Sequence, residues 1–377
     1  MSTLPLFETT TAVPFFDLRP MHEGLRDELL DDIARVVDSG AFVNGPQVEA
    51  FETAYAHHVG TRFCVGVASG LDALRLSLLA AGLEPGDEVV VPAATFAATF
   101  ESVTQAGGVP VVADVTDDDY GLDPAAVEAV LTERTRFLMP VHLYGQMADM
   151  RALGRLAARR GVAILEDACQ AHGATRDGLR AGTAGIAGAF SFYPAKNLGA
   201  MGDAGALTTD DERLAATMRS LREHGQRRKY RHTEEGYTAR LDTIQAAVLL
   251  RKLPHLDGWN DDRRRIAGLY QSALEGIGDL RVPYAAPGSV PVWHLFVART
   301  ADPGALAPFL RDRDVATGRH YPEPPHLSDA YSRLGHSVGA FPVAEALSRE
   351  ALSLPFYPGM TESHVDRVRE AVAAFFA

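Results

Sequence analysis

Six short apolar runs, most of them separated by segments of helical length, constrain this chain more than any other feature. They cover residues 63–68, 88–92, 109–114, 136–142, 162–167 and 188–192. The runs are nearly continuous in apolar character, which suits strands buried on both faces. Residues 72–81, 96–106, 124–131 and 149–160 read as the intervening helices. Strand–helix alternation of this kind predicts an α/β fold with a mostly parallel sheet covered on both sides. Ligands of such sheets collect at the carboxyl ends of the strands. Ser69, Gly70, Asp167 and Ser191 fall at or just beyond such ends.

Outside this region, residues 21–39 and 46–59 read as amphipathic helices. Phe51, Tyr55 and Val59 recur at helical spacing, and Gly60 suits the stop. The sheet region ends near Thr209, with helical segments over 211–222 and 241–274. Residues 281–377 read as a smaller α/β unit, with a strand over 293–298, a helix over 303–313, a loop over 318–327 and a last helix from Glu362. A length of 377 residues fits two domains. The expected division is 1–255 for a large domain with its N-terminal helices and 256–377 for a small C-terminal domain.

Composition excludes several classes. No apolar run reaches the ~18 residues of a membrane span. The first eight residues lack the basic start and apolar stretch of a secretory signal. Cys64 and Cys169 are the only cysteines and form no CxxC pair, which argues against a disulfide framework or zinc ribbon and fits a reducing cytoplasm. A formal charge of −13 disfavours nucleic acid. One island runs the other way: Arg222, Arg227, Arg228, Lys229 and Arg231, with Glu223 as the only acid between Arg222 and His232. It reads either as a solvated face or as a landing site for an anionic substrate such as a nucleotide diphosphate. No metal site is expected, since His57 and His58 lack partners at ligand spacing. Gly182, Gly185 and Gly188 do not match the dinucleotide fingerprint.

Two islands carry chemistry. Residues 164–173, Ile-Leu-Glu-Asp-Ala-Cys-Gln-Ala-His-Gly, precede residues 189–199, Ala-Phe-Ser-Phe-Tyr-Pro-Ala-Lys-Asn-Leu-Gly. They offer an amine, an upstream carboxylate, and hydroxyl and glycine positions for an anion. Pyridoxal phosphate chemistry needs those parts. A lysine forms a Schiff base with the cofactor aldehyde, and a carboxylate keeps the ring nitrogen protonated. Lys196 stands in an apolar, rigid flank of Phe190, Phe192, Tyr193 and Pro194, which favours its neutral form over that of a surface lysine. Asp167 follows the apolar run Val162-Ala-Ile-Leu165, so its charge needs a partner, although an aspartate there also suits a helix cap. Ser69, Gly70 and Leu71 precede a helix, whose first N–H groups bind phosphate.

These motifs resemble the DegT/DnrJ/EryC1/StrS sugar aminotransferases. The markers are Phe42-Val-Asn-Gly-Pro-Gln-Val-Glu-Ala-Phe-Glu52, Ser69-Gly-Leu-Asp-Ala-Leu74, Glu166-Asp-Ala-Cys-Gln-Ala-His-Gly173, Phe190-Ser-Phe-Tyr-Pro-Ala-Lys-Asn-Leu-Gly199, Gly202-Asp-Ala-Gly205 and Arg240-Leu-Asp-Thr-Ile-Gln-Ala-Ala247. The resemblance spans about Pro14 to Ala374. It implies the aspartate aminotransferase (type I) fold, with a mostly parallel seven-stranded sheet and a smaller C-terminal α/β domain. It also implies a homodimer whose sites are built from two subunits. Residues 69–74, Lys229-Tyr-Arg-His232, Pro291-Val-Trp-His-Leu-Phe296 and His320-Tyr-Pro322 resemble the branch that aminates carbon 3 of a thymidine diphosphate 3-keto-6-deoxyhexose. That branch implies L-glutamate as donor and a role in amino-sugar antibiotic biosynthesis.

By the same resemblance Lys196 is the Schiff-base residue and Asp167 the partner of the ring nitrogen. Gln170 would touch the ring oxygen and Phe96 would stack on the ring. Gly70, residue 71 and Ser191 would hold the phosphate. Leu71 offers only its N–H, where the threonine that carbon-4 members of the family more often carry would add a hydroxyl. Thr238 stands where many relatives have an asparagine that reaches the phosphate from the other subunit. Lysine at 196, rather than the histidine of related dehydratases, implies transamination. Tyr193, His294, His320 and Tyr321 are candidates for the sugar and its pyrophosphate, and Arg228, Lys229 and Arg231 for nucleotide charge. His172 is given no role. A carbon-4 nucleotide-sugar or aminocyclitol aminotransferase, or a silent sensor of the cofactor or sugar nucleotide, stays open as an alternative.

Overall fold

The computed structural model describes residues 12–377; the N-terminal stretch read above for a leader lies outside them. Seven strands form the central sheet: β1 (Phe63–Val67), β2 (Glu88–Pro92), β3 (Val109–Ala113), β4 (Thr135–Leu138), β5 (Ala163–Asp167), β6 (Ala187–Ser191) and β7 (Gly205–Thr209). Their order is β1-β7-β6-β5-β4-β2-β3. Six run in one direction, and β7 is antiparallel to both its neighbours. The carboxyl ends of β1, β5 and β6 therefore share one edge, and the first residue of β7 lies there too. Ser191 pairs with Gly205, and Val67 pairs with Gly205 from the other side.

Among the described residues, twelve helices of seven or more residues pack around this sheet and the smaller unit. These are α1 (Arg26–Ser39), α2 (Pro46–Val59), α3 (Gly70–Ala80), α4 (Ala97–Gln105), α5 (Pro124–Val130), α6 (Met150–Arg160), α7 (Glu212–Leu221), α8 (Thr243–Lys252), α9 (Leu256–Leu274), α10 (Pro303–Arg311), α11 (Pro342–Glu350) and α12 (Glu362–Phe376). On α2, Phe51, Tyr55 and Val59 are buried, and Gly60 caps the helix at φ 93°. A separate two-stranded antiparallel sheet pairs β8 (Phe296–Arg299) with β9 (Ala351–Leu354). Its core includes Tyr270 and Leu274 of α9, Phe296, Leu306, Phe356 and Val368. Val13 joins that core and bridges to Val315.

Several boundaries differ from the sequence reading for identifiable reasons. The helix expected over 21–39 is broken at Gly24, whose φ of 80° ends a short turn before α1 begins. The helix expected over 241–274 divides where Pro254 sits in a 3-10 turn. The strand expected over 136–142 stops at Leu138, two residues before Pro140, although Val141 still bridges to Asp167. The strand expected from residue 293 starts at Phe296, because Trp293 has φ 44° and the His294 N–H is given to Tyr144 O at 2.8 Å.

The GxxGxxG run has a packing cause. A Cβ on Gly188 would lie 2.3 Å from Gly182 Cα, and one on Gly185 would lie 2.5 Å from Ile164 O. The turn is thereby pressed against β5 and β6. It gives the N–H groups of Gly182, Ala184 and Gly185 to the buried Glu166 carboxylate at 2.7–2.9 Å. His142 Nε2 completes that carboxylate's shell at 2.8 Å, while its Nδ1 accepts from Ala148 N. Gly188→Ala should lower unfolding free energy by about 2–3 kcal/mol through overpacking. Urea denaturation measures this, and an unchanged midpoint would contradict the tight fit.

Candidate active site

The strand ends, the start of α3 and the loop after β6 enclose a cavity of about 560 Å³ facing the small unit. Ser69 caps α3, its Oγ accepting from Asp72 N at 3.1 Å. Capping leaves the first helical N–H groups, at Gly70 and Leu71, directed out of the helix end. No side chain fits at Gly70: a Cβ would lie 2.7 Å from Ser191 Cβ and 2.8 Å from Cys169 Sγ. The helix start thus touches the end of β6, and its positive dipole end meets the cavity beside the Ser191 hydroxyl. This cradle suits a phosphate.

Asp167 ends β5 and is buried. Its Oδ2 accepts from Thr99 Oγ1 at 2.9 Å, and its Oδ1 from Cys169 N at 3.2 Å. Thr95 donates in turn to Thr99 at 2.7 Å. The carboxylate is therefore held in orientation by two donors while still lining the cavity, which fits it to receive a further N–H. Gln170 is locked at both ends of its amide. Its Oε1 accepts from Tyr144 N at 2.7 Å and its Nε2 donates to the Tyr321 hydroxyl at 3.2 Å. Tyr321 also packs on Phe96, ring centroids 5.3 Å apart, and Phe96 caps the start of α4 half-exposed at the cavity.

Lys196 sits on a closed loop. Its N–H bonds to Tyr193 O at 2.8 Å, and Ala200 N returns to Phe192 O at 2.7 Å. Burial pushes the amine pKa below its usual value, against the smaller pull of Cys169 and Asp167. His294 and His320 are also held neutral, by burial first and Lys196 second. His320 is fixed by Ser353 Oγ at 2.8 Å and stacks on Phe15. Tyr193 stands exposed at the rim. His172 lies in the core with Tyr55, Phe190 and Phe192, where burial pushes its pKa down to about 3.

Within one chain the cavity gathers Gly70, Leu71, Phe96, Asp167, Gln170, Ser191, Tyr193, Lys196, His294, His320 and Tyr321. It does not gather Arg228, Lys229, Arg231 or Thr238. The three cations lie on an exposed hairpin of Gln226–Arg228 and Arg231–His232. Thr238 bonds to His224 Nε2 at 3.1 Å. Sequence reasoning missed Thr95, Thr99 and Tyr144, which orient Asp167 and Gln170. Thr99 offered one signal: it follows Phe96 by three residues on the buried face of the same helix.

A model of the DegT/DnrJ/EryC1/StrS aminotransferase family matches residues 24–373. The dTDP-3-amino-3,4,6-trideoxy-alpha-D-glucose transaminase of Streptomyces venezuelae is 47% identical over 363 residues, covering 96% of each chain. The erythromycin biosynthesis sensory transduction protein EryC1 of Saccharopolyspora erythraea is 47% identical, covering 94% of this chain and 97% of that one. The crystal structure of S. venezuelae DesV in complex with a ketimine intermediate superposes with a TM-score of 0.95 at 47% identity, covering 97% of this chain and 99% of that chain. The chain belongs to the DegT/DnrJ/EryC1/StrS aminotransferase family and has its α/β fold.

Next to Thr238, Arg240 pairs with Glu223, which lowers the Glu223 pKa to about 2 from 4.5. Its contribution to stability is fully present above pH 4.5 and is lost as pH falls through about 2. The unfolding free energy of wild type should exceed that of Glu223→Gln by about 1 kcal/mol near neutrality, because solvent screens the pair, and the gap should close on acidification. A gap independent of pH would contradict the pairing.

Proposed function

We propose that this aminotransferase uses pyridoxal 5′-phosphate to move an amino group from L-glutamate to carbon 3 of a dTDP-linked 3-keto-6-deoxyhexose, within deoxyamino-sugar and antibiotic biosynthesis. The observation that carries this reading is the cavity itself, where Lys196, Asp167 and the α3 start meet. The name of two relatives, a dTDP-3-amino-3,4,6-trideoxy-alpha-D-glucose transaminase at 47% and at 42% identity, supports the dTDP-sugar and carbon 3.

When bound, the cofactor supplies an aldehyde for the amine exchange and an electron-withdrawing ring. The residues present fit it. Gly70 and Leu71 N–H groups and the Ser191 hydroxyl would hold its phosphate. Asp167, steadied by Thr99 and the Cys169 N–H, would accept the ring N–H. Phe96 would cover the ring and Gln170 would meet its oxygen. Lys196 would hold the cofactor covalently and then, freed, move the proton at the reacting carbon of donor and sugar. Its lowered pKa favours the neutral amine that this work needs.

Tyr193, His294, His320 and Tyr321 would surround the sugar. The charges of the substrates ask for more than one chain provides: Glu101, Asp167 and Asp203 line the cavity, and no arginine does among the described residues. We therefore take the working unit to be a homodimer, in which Arg228, Lys229, Arg231 and Thr238 of a second copy face the pyrophosphate and phosphate. Residues 1–255 would then carry the cofactor and 256–377 close over the substrate. No helix among the described residues is long and apolar enough to cross a membrane, and two free cysteines suit work in a reducing cytoplasm.

Lys196→Ala should fold normally yet lose the visible absorbance of bound cofactor and more than about 10³-fold of turnover. Asp167→Asn should lose about 10²-fold or more of kcat while its urea midpoint stays close to wild type. Full turnover in either variant would remove that assignment. Arg228→Ala combined with Arg231→Ala should raise KM for the sugar nucleotide by about tenfold or more, with cofactor absorbance unchanged. An unchanged KM would place the nucleotide elsewhere.

A further inference from the structure

Lys252, at the end of α8, is fully buried. Its ammonium donates to Gly199 O at 2.5 Å and lies 3.3 Å from His22 Nε2. The Trp259 ring faces it at 5.8 Å. It has no carboxylate partner among the described residues, and burial pushes its pKa down to about 8 with no neighbouring charge to offset the loss. His22 is held neutral by burial and by Lys252 itself, so its ring nitrogen can accept. A buried cation without an acid is costly, and an apolar side chain of equal length would fill the space more cheaply. Packing alone therefore does not account for a lysine here.

The carbonyl it holds does account for it. Gly199 lies three residues beyond Lys196, inside the loop closed by the Lys196–Tyr193 and Ala200–Phe192 bonds. Among the described residues no backbone N–H donates to Gly199 O, so without Lys252 a buried acceptor is left bare. Gly199 also presses on the other arm of the loop, since a Cβ there would lie 2.2 Å from Pro194 O. A shift at Gly199 is thus passed to the chain on both sides of Lys196. Neighbouring contacts are neutral amides: Asn197 Nδ2 to Asn260 Oδ1 and Val292 O at 2.8 Å each, and Met201 N to Gln245 Oε1 at 2.8 Å.

We propose that Lys252 is a positioning residue, whose ammonium pins the carbonyl of Gly199 from behind and so fixes the loop that aims Lys196 into the cavity. This rests on the reading of Lys196 as the residue that carries the cofactor. The predicted signature separates positioning from stability: the ammonium costs folding free energy and gives back geometry.

The test compares wild type, Lys252→Met and Lys252→Gln as full-length proteins. Each is incubated with limiting pyridoxal phosphate, reduced with borohydride, and scored by mass spectrometry for label on the Lys196 peptide. Urea midpoints, kcat and KM are measured in parallel. Lys252→Met should stay close to the wild-type midpoint, since relief of the buried charge offsets the bared Gly199 carbonyl, yet lose about tenfold in label and in kcat, with KM for the sugar nucleotide within about twofold. Lys252→Gln, which returns a neutral donor, should recover part of both losses. Wild-type label and kcat in Lys252→Met would overturn the proposal, as would losses that only follow a lowered midpoint. If Lys252→Met does not fold, Lys252→Gln is judged on the same scale against wild type. No label on Lys196 in wild type removes the cofactor reading and this proposal with it, whereas label that is equal in all three removes this proposal alone.

Discussion

Two glycines bring a helix start into contact with two strand ends, and the site depends on that contact. A Cβ on Gly205 would lie 2.2 Å from Ser69 O, and one on Gly70 would lie 2.7 Å from Ser191 Cβ. With no side chains between them, the first turn of α3 rests on the edge formed by β6 and β7. The antiparallel β7 matters here, because it starts at the edge where its parallel neighbours end. The helix dipole, the Ser191 hydroxyl, the Asp167 carboxylate and the Lys196 loop then open on one cavity. A larger residue at either glycine would move the start of α3 away from the strand ends that carry Asp167 and Ser191.

The second layer is what holds these groups still. Thr99 and Thr95 act on Asp167 from α4 and the segment before it, Tyr144 and Tyr321 act on Gln170, and α8 and α9 press on the loop of Lys196 from outside. Burial keeps the nearby histidines and the lysine towards their neutral forms. The interior thus carries little fixed positive charge, whereas the substrates read for it are anionic. That imbalance is the ground for the proposal that the exposed basic hairpin of a second copy serves the site.

Much of this was legible in the sequence. Buried strands announce themselves as apolar runs, so Glu88–Pro92 was read to the residue and the other parallel strands to within a few residues. Lys196 and Asp167 stood out because a charged residue beside an apolar run is unusual. What escaped had no local signature. β7 begins with Gly205, where a contact with Ser69, distant in sequence, leaves no room for a side chain. Trp293 leaves strand geometry to satisfy Tyr144. Thr99 meets Asp167 across 68 positions, and Lys252 meets Gly199 across 53. Such pairs are fixed by topology, not by any window of neighbours.

Lys196 and Asp167 are proposed to run both halves of an amino transfer. The most direct test is the visible spectrum of the purified protein with pyridoxal phosphate, recorded before and after L-glutamate and again after a dTDP-3-keto-6-deoxyhexose. A band of lysine-bound cofactor should appear, which glutamate converts to the pyridoxamine form and the keto-sugar restores, with a dTDP-3-amino sugar as product. A band that ignores glutamate, or no band at all, would contradict that proposal.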